Sequence, residues 1–291
     1  MSVNNNKSKA AFIAAMVIFG TIGIFRRYID LPSSVLALAR GFIGTLFLVI
    51  YVKLSGKKPD RAAVRANLAL LVISGALIGF NWILLFESYN YTTVSVATLC
   101  YYMAPVFLIL ASPFVLKEKL TVNKLIAVFA AVTGMALVSG VFRGREIAVD
   151  QKTGIILGLG AAVLYASVIL INKKIGEIDA YSKTTVQLGA AAVCLLPYVL
   201  LTEKASGIAL SGRELIMVLV VGIIHTGVAY ALYFSSMKAL SAQNIAIFSY
   251  IDPVFAIILS ALILKEPMGF SDILGAVLIL GAAVYSEFTE G

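Results

Sequence analysis

Charged side chains are scarce in this sequence, and most of them lie between long apolar runs. Of the 291 residues, 13% are charged and 60% are hydrophobic, whereas a soluble domain typically carries about 25% charged residues. The apolar runs are about 20 residues long, which is the length of a helix that spans a bilayer. No gap between them is long enough for a large soluble domain. The composition therefore predicts an integral membrane protein.

Residues that bind metals or form disulfides are also few. The chain has two cysteines and one histidine, and both Cys100 and Cys194 lie inside apolar runs. A secreted disulfide framework is therefore not indicated, and no zinc-binding set can be assembled. We expect neither a metal nor another cofactor.

The common motifs of ATP-driven and hydrolytic proteins are missing too. The sequence has no Walker motif, so ATP does not drive its activity directly, and it has no H-E-x-x-H metalloprotease motif. An intramembrane aspartyl protease needs two acids that share a proton, and only Asp252 lies deep inside an apolar run. The sequence thus favours a protein that is not an enzyme.

Ten apolar runs predict an all-α integral membrane protein with ten transmembrane helices. Each run must be a helix, because an open strand leaves backbone groups unpaired in lipid. Short, turn-prone breaks such as residues 55–60 separate the runs. The expected spans are 9–29, 33–54, 67–90, 93–116, 122–142, 152–173, 180–202, 214–238, 241–264 and 270–288.

Lys and Arg residues indicate the orientation, since cytoplasmic loops are enriched in both. With the N-terminus inside, the outer loops of the first five spans carry only Arg26 and Arg27. The bias is weak in the second half, so the first half sets the topology and both termini lie in the cytoplasm. Topology thus explains the net charge of +8, and no nucleic-acid partner is expected. The inner stretches of the first half carry Lys7, Lys9, Lys53, Lys57, Lys58, Arg61, Arg65, Lys117, Lys119 and Lys124.

One segment of the chain occurs twice. Residues 104–120 recur in register as residues 252–268, 148 positions later. Five spans per copy is an odd number, so the second copy enters the membrane upside down relative to the first. We therefore expect a 5+5 inverted repeat, with residues 1–145 as the first half and residues 146–291 as the second half.

Each copy carries a proline and, thirteen residues later, a glutamate: Pro105 with Glu118, and Pro253 with Glu266. A helix rich in glycine and alanine follows each pair. On these motifs the whole chain resembles the drug/metabolite transporter superfamily, and within it the EamA-type exporters. The resemblance implies two inverted five-helix repeats around a central cavity, and the export of metabolites or drugs.

Two further positions bear on this resemblance. Arg40, eight residues after Pro32, fits the family's proline-then-arginine pattern in the second span. The first span departs from the family, which often has Trp-Gly where this chain has Phe19-Gly20. Substrate contacts that such a tryptophan makes in relatives therefore do not transfer to this chain.

Asp252 is the sharpest candidate for a functional residue. It lies about halfway along the ninth span, and the first copy has Ala104 at the equivalent position. A charged side chain at this depth costs roughly 2.5–3.5 kcal/mol on insertion scales. A functional acid here would bind and release a proton or pair with a cationic substrate. The alternative is a protonated structural acid, bonded to a backbone carbonyl that Pro253 leaves free.

His225 is the only histidine and lies at a similar depth in the eighth span. One interpretation is a proton relay with Asp252 or a contact with the substrate, because histidine titrates near neutral pH. The other interpretation is a neutral histidine that hydrogen-bonds two helices together.

Four further charged positions admit structural interpretations. Arg40 and Glu87 lie toward the outer ends of their spans and are expected to form an ion pair or gate. Alternatively, the Arg40 guanidinium holds a substrate carboxylate, whose geometry it matches. Glu118 and Glu266 occupy equivalent helix ends, and each is expected to cap the first turn of the helix that follows it.

Deep aromatic side chains are the remaining candidates for the wall of a cavity. Such rings can hold an aromatic or cationic ligand, although each one can equally face lipid or pack between helices. Polar contacts from Asn81, Gln187 and Asn244 can either reach a substrate or join helices. The glycine-rich segments 134–139 and 275–283 indicate close helix packing, as scaffold or as a dimer face. The aromatic candidates are Trp82, Tyr101, Tyr102, Tyr165, Tyr230, Phe248 and Tyr250.

Together these features predict a secondary transporter in the cell (inner) membrane. It would export small amphipathic metabolites, namely amino acids or aromatic or cationic compounds. Export would proceed by alternating access around a site near the midplane. An uncoupled facilitative carrier or a channel is the alternative. The expected partners are a small-molecule substrate, the lipid bilayer and, for a coupled mechanism, protons. The chain would be a monomer or a weak homodimer.

Overall fold

The computed structural model describes residues 2–56, 58–117, 120–138, 149–203, 211–237, 240 and 248–289. Within these residues, all regular secondary structure is helical. Seven helical stretches are long and apolar enough to cross a membrane, and three shorter apolar helices accompany them, at Val122–Val138, Ile251–Ile263 and Phe270–Tyr285. These stretches follow the order of the predicted spans. The number of ten membrane crossings and the cytoplasmic location of both termini stay predictions.

The helices of residues 1–145 begin and end close to the predicted boundaries. They are α1 (Ser2–Gly20), α2 (Ile22–Arg27), α3 (Ser33–Leu54), α4 (Arg61–Ala66), α5 (Leu68–Tyr91), α6 (Val94–Tyr101), α7 (Ala104–Val115) and α8 (Val122–Val138). The short helix α4 was expected to be loop. Asp60 starts it, because the Asp60 side chain accepts a hydrogen bond from the backbone N–H of Ala63.

The second half has a matching series of helices. They are α9 (Val149–Lys174), α10 (Ala180–Thr202), α11 (Gly212–Val220), a π-helix (Val221–Val228), α12 (Ala229–Met237), α13 (Ile251–Ile263) and α14 (Phe270–Thr289). The eighth span is thus continuous but contains π-helical turns, which in other proteins often mark functional sites. His225 lies in this π-helix.

Two prolines of the sequence repeat lie next to interruptions. Pro105 lies in the first turn of α7, directly after the break between α6 and α7 at Tyr102 and Met103. Pro253 lies in the first turn of α13, which begins just after Tyr250. A proline has no backbone N–H and its ring collides with the preceding turn, so a helix starts at this residue more readily than it continues through it.

Contacts between helices cross from one half of the chain to the other. Helix α5 packs against α9 and α10, while α1 packs against α12, and α3 packs against the π-helix. Helix α6 also contacts α13. The candidate residues on α6 and α13 are thereby brought to one place in the molecule.

Two glycines let helices approach closely at equivalent positions. A Cβ added at Gly79 would lie 2.9 Å from Cγ of Leu195, and one added at Gly227 would lie 2.5 Å from Cγ of Phe47. Gly79 and Gly227 are separated by the 148 positions of the sequence repeat, and so are Phe47 and Leu195. The same close contact between the two halves therefore occurs twice, with the roles of the halves exchanged.

The two glycine-rich helices α8 and α14 pack against each other. A Cβ added at Gly134 would lie 2.7 Å from the carbonyl oxygen of Gly275. For this pair the scaffold interpretation of the small residues is confirmed, because each glycine is covered by the other helix of the same chain. A dimer formed by these two glycines would require the helices to separate.

Candidate functional site

Asp252 lies in the first turn of α13 and is half-buried. The phenolic hydroxyl of Tyr102 donates a hydrogen bond of 2.8 Å to its Oδ2 atom. Tyr102 is located in the break between α6 and α7, where the chain leaves the helix. The bond therefore joins an interrupted helix of the first half to the start of a helix of the second half.

A row of tyrosine rings leads away from this bond. The rings of Tyr101 and Tyr102 are 5.9 Å apart at right angles, and those of Tyr101 and Tyr165 are 5.3 Å apart. Tyr165 is 40% exposed. The row thus runs from the carboxyl group of Asp252 to an accessible surface, and it can present aromatic faces to a bound molecule.

The first span passes directly beside Asp252. A Cβ added at Gly20 would lie 2.7 Å from the carbonyl oxygen of Asp252 and 3.1 Å from Cβ of Phe255. The ring of Phe19 lies 5.4 Å from that of Tyr230. Glycine is required at position 20 for this approach, and Phe19 occupies the place at which the family often has tryptophan.

Arg40 is buried, with 5% of its surface exposed. Its guanidinium carbon lies 4.2 Å from the centre of the Trp82 ring, and its Nε donates a hydrogen bond of 2.8 Å to Oγ1 of Thr226. Arg40 therefore contributes a buried positive charge to the same helix bundle as Asp252. The site thus contains one cation and one acid.

The predicted ion pair between Arg40 and Glu87 is wrong. Oε2 of Glu87 accepts hydrogen bonds from Oγ of Ser33 at 2.6 Å and from Nδ2 of Asn90 at 3.1 Å. Arg40 turns to Trp82 instead, because stacking on the indole ring stabilises a buried guanidinium.

His225 is 1% exposed and does not pair with Asp252 in the described structure. Its Nε2 lies 2.8 Å from Oγ1 of Thr21, and its Nδ1 lies 3.4 Å from the carbonyl oxygen of Val220. The ring of Phe25 covers it edge to face at 4.7 Å. In the described structure, His225 therefore forms a hydrogen bond between the eighth and first spans and not a direct relay to Asp252.

Glu266 caps a different helix from the one expected. Its carboxylate accepts hydrogen bonds from the backbone N–H groups of Val94 at 2.9 Å and Ser95 at 3.3 Å, at the start of α6. Arg27 lies 3.5 Å from the same carboxylate. The expected cap of the following helix is wrong: at the start of that helix the carboxylate of Asp272 accepts from the N–H of Gly269 instead. Glu118 lies outside the described residues.

The other aromatic candidates have mixed surroundings. The ring of Tyr230 stacks on Phe234 at 5.7 Å, next to Phe19. Phe248 packs with Phe12 in a separate apolar cluster, with ring centres 6.4 Å apart. Tyr250 directly precedes α13. The structure therefore brings Tyr101, Tyr102 and Tyr165 together near Asp252, and places Phe248 in a packing role.

The side chains of Asn81 and Gln187 form hydrogen bonds between helices. Asn81 donates from Nδ2 to the carbonyl oxygen of Ala161 at 2.5 Å. Gln187 donates from Nε2 to Oγ of Ser74 and to Oδ1 of Asn172, both at 2.7 Å. These bonds join α5 to α9 and α10, so the amide nitrogens of Asn81 and Gln187 are used in contacts between helices. Asn244 lies outside the described residues.

The sequence interpretation missed Thr226 and Thr21, and it named Gly20 only as part of the Phe19-Gly20 motif. Thr226 holds Arg40, Thr21 holds His225, and Gly20 admits the first span beside Asp252. In the sequence, Thr21 directly follows that motif. Among the described residues, no group of three or more His, Cys, Asp or Glu side chains could hold a metal ion.

Comparison with known proteins agrees with this architecture. The model of the EamA-like transporter family matches residues 7–140 and 152–286. An "Uncharacterized transporter YxxF" of Bacillus subtilis (strain 168) is 33% identical over 281 residues, which cover 96% of this chain and 89% of that protein. An "Uncharacterized transporter" of Archaeoglobus fulgidus is 24% identical, over 95% of this chain and 94% of that protein.

A solved structure shows the same fold. Its chain, described as "Crystal structure of protein", is 19% identical, has a TM-score of 0.64 and covers 98% of both chains. With its apolar helices and bacterial transporter relatives, this chain is a multi-pass protein of the inner (cell) membrane. It belongs to the EamA-like transporter family.

Proposed function

We propose that this membrane transporter exports small zwitterionic or cationic metabolites, and amino acids in particular, by alternating access. The observation that carries the proposal is the hydrogen bond between Tyr102 and Asp252, together with the buried guanidinium of Arg40. An α-amino acid carries one ammonium group and one carboxylate. A site with one acid and one guanidinium complements both charges.

Asp252 is the proposed partner of the substrate ammonium group. It is half-buried and bonded through one oxygen to Tyr102, so its second carboxyl oxygen remains for a donor from the substrate. The rings of Tyr101 and Tyr165 would cover an apolar or aromatic substituent, and their faces also attract cations.

Arg40 is the proposed partner of the substrate carboxylate. Within the part of the chain that the structure describes, only its Nε makes a hydrogen bond, to Thr226. The two terminal nitrogens are the ones that bind a carboxylate side by side. Stacking on Trp82 holds the guanidinium plane in one orientation, which lowers the entropy lost on binding.

The two halves are proposed to move as inverted units around this site. The family model matches each half separately, and the contacts of Gly79 with Leu195 and of Gly227 with Phe47 occur at equivalent positions. In inverted-repeat transporters, such units rock against each other and expose a midplane site to each side in turn. Asp252 is proposed to carry a coupling proton when the substrate leaves.

Transport of radiolabelled amino acids by purified protein in proteoliposomes tests the proposal. Asp252→Asn should abolish uptake driven by a pH gradient, while Asp150→Asn, at an exposed acid in the first turn of α9, should leave it unchanged. Unchanged rate and pH dependence in Asp252→Asn would remove Asp252 from the mechanism. Counterflow without accumulation in a pH gradient would identify an uncoupled carrier, and rates far above carrier turnover would identify a channel.

A further inference from the structure

A cavity lies apart from the tyrosine and aspartate site. It is a crevice of about 690 Å³ bounded by α3, α4, α5 and α10. Val49 and Leu68 in its wall are each 49% exposed, so the crevice is open at the surface and part of its wall is accessible apolar surface. The apolar wall consists of Val49, Val52, Val64, Leu68 and Val186.

Three basic side chains line the same crevice. Lys53 lies in the last turn of α3, while Arg61 and Arg65 lie on α4. All three are exposed, and within the described ranges none of them forms an ion pair or a side-chain hydrogen bond. Their charges therefore face the crevice and its opening without a protein anion as partner.

The acids next to the crevice are engaged with backbone groups. Oδ1 of Asp60 accepts from the N–H of Ala63 at 3.0 Å, and Oδ1 of Asp179 accepts from the N–H of Ser182 at 2.9 Å. Both are helix caps, at the starts of α4 and α10. Each acid is held at its own helix start rather than on a basic side chain, and the three cations of the crevice outnumber these two acids.

The wall formed by α4 is fixed to the neighbouring helices. The N–H of Asp60 donates to Oγ of Ser182 at 3.2 Å, and the N–H of Gly176 donates to Oδ1 of Asn67 at 3.0 Å. Nδ2 of Asn67 in turn donates to the carbonyl oxygen of Ala63 at 2.9 Å. Helix α4, which carries Arg61 and Arg65, is thus hydrogen-bonded to α10 at one end and to the segment before α10 at the other end.

We propose that this crevice binds one anionic phospholipid, with its phosphate between Lys53, Arg61 and Arg65 and an acyl chain along the apolar wall. Basic pockets between membrane helices on the cytoplasmic side recognise anionic headgroups. The predicted topology places these three basic residues on that side. A soluble phosphate would satisfy the charges but leave the apolar wall unfilled, whereas a phospholipid matches both parts.

Native mass spectrometry of the detergent-purified protein, with added phosphatidylglycerol or phosphatidylcholine, tests this site. The wild type should retain phosphatidylglycerol in preference to phosphatidylcholine. Replacing Lys53, Arg61 and Arg65 together with Gln should weaken that binding by roughly 100-fold, because each basic residue near an anionic lipid contributes about a factor of five. The matched control replaces Lys7, Lys9 and Lys152 with Gln, and it should bind as the wild type does.

A second variant distinguishes the binding of a lipid from the binding of a free anion and from a general loss of folding. Val186→Trp would fill the apolar wall and keep all three charges, so phosphatidylglycerol binding should fall while the elution volume of the protein stays unchanged. Equal loss in the control triple variant would overturn the proposal. So would equal binding of the two lipids, or displacement of phosphatidylglycerol by millimolar inorganic phosphate. None of these readouts depends on transport.

Discussion

Oη of Tyr102 lies 2.8 Å from Oδ2 of Asp252, across the boundary between the two halves of the chain. The tyrosine stands where α6 is interrupted, and the aspartate stands in the first turn of α13. A movement of the two halves relative to each other would change this distance. The hydrogen bond that Asp252 accepts therefore depends on how the helices of the two halves are arranged.

Removing this hydroxyl tests that connection. Tyr102→Phe should lower the transport rate by roughly tenfold, since a hydrogen bond to a carboxyl group contributes about 1.5–3 kcal/mol. The ring packing with Tyr101 would remain. Uptake in proteoliposomes over a range of pH is the measurement, and Tyr198→Phe on α10, whose ring packs on Phe80, is the control. A wild-type pH profile in Tyr102→Phe would contradict the connection.

The geometry at Arg40 predicts that lysine cannot replace it. Lysine keeps the positive charge but has neither the planar stack on Trp82 nor two parallel donors for a carboxylate. Arg40→Lys should therefore raise KM for amino acids by about tenfold or more. The affinity for amines that lack a carboxylate should change less. An equal effect on both substrate classes would assign Arg40 a structural role only.

The cap formed by Glu266 predicts a loss of stability when its charge is removed. Glu266→Gln should lower the free energy of unfolding by about 1–2 kcal/mol, because two backbone N–H groups of α6 lose a charged acceptor. Glu214→Gln is the matched control, since Glu214 bonds only the backbone of the nearby Ser211. Thermal unfolding followed by size-exclusion chromatography compares the two variants. A larger loss in Glu214→Gln would contradict the assignment.

Two helical glycines, one in a crowded contact and one in open space, allow the effect of close helix packing on stability to be measured. Gly227→Ala should destabilise by about 1–3 kcal/mol through overpacking against Phe47. Gly281→Ala, where an added Cβ meets nothing within 4 Å, should be neutral or stabilise by up to about 1 kcal/mol. Melting temperatures in detergent give the comparison, and identical shifts for both variants would show that the close approach at Gly227 is not retained.

Several features followed from local patterns. Hydropathy located the helices within a few residues, because a span needs a continuous apolar segment that can be recognised in the sequence. The repeated proline lies beside the interruption before α7 and at the start of α13, although the predicted spans 93–116 and 241–264 run through it without a break. Asp252 and its neighbouring tyrosines were selected since an acid in an apolar run is rare.

The errors concern side chains whose partners are distant in the sequence. Arg40 bonds to Thr226, 186 positions away, and Glu266 bonds to Val94, 172 positions away. The expected partners, Glu87 for Arg40 and the following helix for Glu266, were nearer in the chain. No periodicity or spacing indicates which helix lies beside which, so these pairs could not be deduced from the sequence.

The amino-acid sequence alone establishes that this chain is a helical membrane protein of a transporter family, because apolar length and motif order are properties of the linear chain. Tertiary structure alone decides which groups meet. It joins Asp252 to Tyr102, separates His225 from Asp252 and stacks Arg40 on Trp82. The reason is physical: a buried polar group must find a partner, and the packing of the helices determines which partner is within reach.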